Sequence, residues 1–63
     1  MAICTKPNKS KDGTIVSYDI QENGHTSTYP ADYLTTLLKM GKMTIANMRY
    51  NSFKNEVEFV EAQ

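Results

Sequence analysis

Two groups able to do covalent or metal chemistry occur once each in the 63 residues, the thiol of Cys4 and the imidazole of His25. Nucleophilic catalysis needs a nucleophile, a base and an orienting group held together on a rigid frame. Cys4 lies in an N-terminal segment expected to be a strand or a tail, and His25 abuts the turn signal Asn23-Gly24. Nothing in that placement brings the two together. A zinc site needs four protein ligands, or three and a water, and one Cys with one His does not supply them. The chain has no glycine-rich phosphate loop and no paired acidic motif. The sequence therefore predicts no enzyme, no metal and no cofactor.

Recognition chemistry is better represented, in the stretch "KMGKMTIANMRY" from Lys39 to Tyr50. Arg49 carries a planar fork that binds carboxylate or phosphate through two parallel hydrogen bonds. Read as a regular strand, the segment puts Asn47 and Arg49 on the sheet face away from the helix. With Lys42, Thr26 and Thr28 they would then form a polar recognition surface. The preferred alternative is a bulge near Ala46 or Asn47. One extra residue exchanges the faces, so Ile45 points inward before the interruption, and Met48 and Tyr50 after it. Asn47 then serves the kink, its amide satisfying backbone groups that the ladder leaves unpaired, and Arg49 forms an ion pair across the strands with Glu56 or Glu58.

The elements that must position these residues follow from local signals. "TIVSYDIQENGHTSTY" sets β-favouring runs on either side of Asn23-Gly24, the pair best suited to the positive φ angles of a two-residue hairpin turn. In that register Glu22 faces His25, Ile20 faces Ser27, and Tyr18 faces Tyr29. Val16, Tyr18, Ile20, Ser27 and Tyr29 share the candidate core face, while Ile15, Ser17, Asp19, Thr26 and Thr28 share the other. Helical spacing starts at Pro30: Ala31, Leu34, Leu37 and Leu38 form one apolar stripe with Tyr33 and Met40 on its flank. Asp32 in the first turn, Lys39 in the last and Gly41 as a left-handed cap agree on the boundaries. "MTIANMRY" and "EVEFVE", joined by the turn-like "NSFKN", predict a second antiparallel hairpin. The expected fold is α+β, in the order ββαββ, with one helix packed on one face of a small antiparallel sheet. Residues 1–13 are expected as an N-terminal strand, at Ala2 to Thr5, or a flexible basic lead-in, and residues 14–63 as the single domain.

A chain this short buries only roughly 60% of its unfolded surface, so added buried area from a second subunit would help it, and a homodimer is expected. Seven Lys and Arg balance seven Asp and Glu, which leaves no global field toward nucleic acid or anionic lipid. Charge is instead segregated, with Lys6, Lys9 and Lys11 near one end and Glu56, Glu58 and Glu61 near the other. A lone cysteine cannot form an intrachain disulfide, and that suits a reducing cytosol. No apolar run reaches the length of a signal peptide or a membrane span, so a soluble cytoplasmic protein with no membrane partner is expected.

Pro30, Leu34, Leu37, Gly41, Lys42, Met43, Ile45, Asn47 and Met48, spread over a hairpin, a helix opening near proline, a glycine stop and an apolar strand, resemble a set of very small orphan proteins of Gram-positive phages and prophages. That resemblance implies an accessory role in a bacterial host. The leading functional expectation is a protein-binding module that masks or inhibits a host protein, through strand edges at "TIVSYDI" or "EVEFVE". The glutamates of the last strand suit a partner with a basic surface. A nucleic-acid-binding or regulatory module is the alternative, with Lys6, Lys9, Lys11, Lys42 and Arg49 on phosphates and Tyr18, Tyr29 or Tyr50 stacking on bases. An oligomer holding a small anionic nucleotide at its interface is the third.

Overall fold

A computed structural model describes residues 1–61 of the chain; positions 62 and 63 of the expected domain lie outside the described residues. The order is β1 (Ile3–Lys9), β2 (Ile15–Glu22), β3 (His25–Pro30), α1 (Ala31–Lys39), β4 (Met48–Asn51) and β5 (Glu56–Phe59). The protein is a small α+β fold with antiparallel sheets and one helix. The strands do not join in one layer, however: β1, β2 and β3 form a three-stranded sheet in that order, and β4 and β5 form a separate pair.

The first hairpin has the register its turn residues dictate. Asn23 and Gly24 take φ values of 54° and 80°, the two positive angles that a type I′ turn requires. Glu22 faces His25, Ile20 faces Ser27 and Tyr18 faces Tyr29. Tyr18 and Ile20 are buried, whereas Val16, expected beside them, is half exposed, and Ile15, expected on the other face, packs against the core.

Most of the basic lead-in is a strand, Ile3–Lys9, and residues 10–13 form the turn into β2. Strand β1 runs through Lys9 and pairs antiparallel with β2, with register shifts between Cys4 and Lys6 and between Asn8 and Lys9. Those shifts erase the alternation that would have marked a strand beyond Thr5. Pro7 is tolerated because β1 lies at the sheet edge, where no N–H is needed. This arrangement places β2 in the middle of the sheet, so "TIVSYDI" offers no free edge, contrary to expectation.

Helix α1 begins after Pro30, whose φ of −57° and ψ of 141° place it at the cap position just outside the helix. It ends as Gly41 turns left-handed at φ 71°. Lys42 N–H then donates to Leu37 O at 2.9 Å and Gly41 N–H to Leu38 O at 3.2 Å, the bond pair of a Schellman cap. The apolar stripe touches β2 and β3 on one side and β4 and β5 on the other, and Leu34 at 0% exposure is the centre of the core. Ala2, Cys4, Tyr18, Ile20, Ile45 and Met48 complete that core.

Between helix and second sheet, the chain does not form the continuous strand or bulge expected of "MTIANMRY". Ile45 makes an isolated parallel bridge to Ala2 and an antiparallel one to Met48. Ala46 N–H donates to Ala2 O at 2.9 Å and Met48 N–H to Ile45 O at 3.3 Å. A tight turn at Ala46 and Asn47 thus replaces the bulge, with Ile45 and Met48 both buried on either side of it.

Candidate functional site

Asn47 sits in that turn, and its amide grips the backbone of one residue of β1. Cys4 N–H donates to Asn47 Oδ1 at 2.9 Å, and Asn47 Nδ2 donates back to Cys4 O at 2.8 Å. Cys4 faces Ile20, between positions whose backbone groups bond to β2, so its own groups point off the sheet edge. Asn47 occupies them in the manner of a missing strand. The main chain of Asn47 also accepts from Val60 N–H at 2.9 Å, which ties the end of the second sheet to the same point. Its side chain is therefore committed to backbone groups inside the protein, the role expected of it at a bulge, here filled from a turn.

Arg49 lies on β4 opposite Glu58. Its Nε and Nη2 both donate to Glu58 Oε1, at 3.0 and 2.9 Å, and the Arg49 side chain remains 65% exposed. That contact and a hydrogen bond from Asn51 Nδ2 to Glu58 Oε2 at 3.2 Å hold the Glu58 carboxyl below its usual range, Arg49 being the larger influence. Lys42, Thr28 and Arg49 do not assemble into one surface. Thr28 belongs to the outer face of the first sheet, where its hydroxyl donates to Asp19 Oδ1 at 3.0 Å beside Asn8 Nδ2 at 2.9 Å. Lys42 lines an open cleft of about 460 Å³ with Met1, Ala2, Glu22, Met43 and Thr44. Glu22 would repel an anionic nucleotide there. Of the tyrosines, Tyr18 is buried, and burial pushes its hydroxyl pKa up. Tyr29 is stacked on Tyr33, with ring centroids 6.2 Å apart and planes 7° from parallel.

The residue that sequence reasoning missed is Phe53. It stands at 100% exposure on the tip of the β4–β5 hairpin. The tip is braced from several sides. Asn51 Oδ1 accepts from Phe53 N–H at 2.9 Å and Lys54 N–H at 3.2 Å, an Asx turn. Asn55 adopts the left-handed φ of 57° that asparagine tolerates, and the Tyr50 hydroxyl bonds to Asn55 Oδ1. Lys39 Nζ lies 5.9 Å over the Tyr50 ring, linking the hairpin to the end of α1. Arg49, Tyr50, Asn51, Ser52 and Phe53 line a depression of about 240 Å³ at this tip. A signal was present in "NSFKN": one large apolar residue amid turn formers, with no periodicity to bury it.

Among the described residues no group of three His, Cys, Asp or Glu is disposed to hold a metal ion, and no helix is long and apolar enough to cross a membrane. Cys4 is buried beside the Asn47 clip, and burial raises its thiol pKa, the opposite of what activates a nucleophile. No protein-family model matches the chain, and comparison with curated proteins and with solved structures finds no match.

Proposed function

We propose that this is a non-catalytic protein-binding module, an accessory protein of phage or prophage type. It works in the bacterial cytoplasm by covering a surface of a host or phage protein. Phe53 carries the reading. Burying a fully exposed Phe side chain is worth about 1.5–3 kcal/mol, and a turn already fixed by Asn51 and Asn55 loses little entropy when it docks. Aromatic and Arg side chains are the usual anchors of such contacts, and Arg49 stands two strand positions below the turn with part of its side chain uncovered. Lys54 beside Phe53 suits an acidic or neutral rim on the partner, while Glu56 and Glu58 along β5 suit a basic one.

Affinity capture from a bacterial lysate on immobilised protein, with Phe53→Ala as the matched control, tests the proposal. The expected result is a discrete partner retained by the native chain and lost with the variant, whose circular dichroism is unchanged. A partner held equally by both would place binding elsewhere.

A further inference from the structure

We propose that the outer edge of β3 is the surface on which two copies of this chain associate, strand against antiparallel strand about a two-fold axis through Ser27. The two-residue turn makes Glu22 and His25 a hydrogen-bonded pair, so Ile20 with Ser27 and Tyr18 with Tyr29 are bonded pairs as well. Thr26 and Thr28 then direct their N–H and C=O groups away from β2. Among the described residues none takes them.

The protein's other sheet edges are closed or self-repelling. On β1 the outward groups of Cys4 are held by Asn47, and Pro7, the next inward-facing residue along the strand, has no N–H to offer. Lys6 and Lys9 on the same strand would repel their copies. Strand β5 carries Glu56 and Glu58, again like charges on two copies. Proteins blunt strand edges with lysine, proline and bulges, and β1 has all three. Strand β3, "HTSTYP", has none of them before Pro30 and bears no formal charge with His25 neutral. Strand β4 carries Arg49, again a like charge on two copies, so among the described residues β3 is the edge that electrostatics favours to meet itself.

The register follows from the donors. With Ser27 opposite Ser27, Thr26 of each copy faces Thr28 of the other, and both threonines exchange N–H and C=O to give four backbone hydrogen bonds. Sliding toward Pro30 forfeits bonds, because proline donates none. The same register sets the Tyr29 ring beside His25 of the partner subunit, next to the half-exposed Tyr33. The result is one continuous sheet with both helices on the same face and a Phe53 tip on each copy.

Sedimentation velocity over a concentration series tests this, with Ser27→Asp and Ser27→Lys. Ser27 is exposed, so neither change should disturb the monomer, which circular dichroism checks. The native chain of 7.1 kDa should reach twice that mass and stop. Each variant alone sets like charges directly across the axis and should raise the dissociation constant about tenfold or more, and an equimolar mixture of the two should restore the dimer. A native chain monomeric at the highest concentration overturns the proposal, as do variants that associate like the native chain. So does open-ended, salt-sensitive assembly indifferent to position 27, which would report β1 lysines on β5 glutamates of the next copy.

Discussion

Removing the Asn47 amide should cost far more than its place in a turn would suggest. Asn47→Ala deletes two hydrogen bonds at 2.9 and 2.8 Å and leaves both the N–H and C=O of Cys4 without a protein partner. A hydrogen bond contributes about 0.5–1.5 kcal/mol net, and a stranded buried group costs about 1–3 kcal/mol. The site is part-buried, so water offsets some of that loss, and we expect about 2 kcal/mol. On a domain of this size that corresponds to roughly 8–16 °C in Tm. Asn47→Asp gives a sharper test. It keeps an acceptor for Cys4 N–H but turns a carboxylate oxygen toward Cys4 O, so at neutral pH it should be no more stable than the alanine variant. As pH falls and the carboxyl gains a proton to donate, its deficit relative to the native chain should shrink. Urea unfolding followed by circular dichroism gives the free energies, and amide exchange at Cys4 gives the local effect. An alanine variant within about 0.5 kcal/mol of the native chain, with Cys4 exchange unchanged, would refute the idea that this amide seals the edge of the sheet.

Other outcomes follow from the same geometry. Leu34→Ala, at a fully buried side chain, should cost about 3 kcal/mol, a large part of the roughly 3–9 kcal/mol available to a chain this long, and urea titration should show the native baseline nearly lost. Cys4, buried with a raised pKa, should react with a thiol reagent only as fast as the protein opens, and faster in Asn47→Ala; alkylation rates in native buffer check this. Acid should weaken the fold gradually. Asp12, held down to about 2 chiefly by the Ser10 hydroxyl, Asp19, lowered chiefly by Asn8, and Glu58, lowered chiefly by Arg49, have ordinary values of 3.8, 3.8 and 4.5. Groups depressed in the folded state contribute above their unfolded values and lose that contribution as pH drops through the folded ones. The urea midpoint should therefore hold from neutrality to about pH 4.5 and decline between there and about pH 2, by a small amount because Asp12 is exposed and Asp19 and Glu58 are partly so, which leaves all three screened by solvent.

Much of this architecture is written locally. The Asn23-Gly24 turn fixes the facing of Tyr18 with Tyr29, and Pro30 and Gly41 bound the helix, because each signal depends on the φ angles of one or two residues. The asparagine in "IANM" is legible too, as an amide that must satisfy stray backbone groups, and Arg49 is legible as the partner of a glutamate on the next strand. What is not legible depends on distant pairing. "KPNK" becomes strand only because β2 lies beside it, and its register shifts hide the period. The turn at Ala46 and Asn47 has no glycine or proline, and it forms because Ile45 bridges to Ala2, more than forty positions away. The expected single sheet is instead two. Phe53 escaped notice because periodicity finds residues that are buried, and this one is displayed.

The central claim is that the β4–β5 tip is where this protein meets its partner, and photocrosslinking tests it most directly. Benzoylphenylalanine replaces Phe53 with little change of shape on a side chain that touches nothing, and a control carries it at Lys11, also exposed but in the turn between β1 and β2. On irradiation of bacterial cells producing each version, position 53 should yield a discrete adduct heavier than a dimer of the chain, and position 11 should not. An adduct at Lys11 with none at Phe53 would contradict the account.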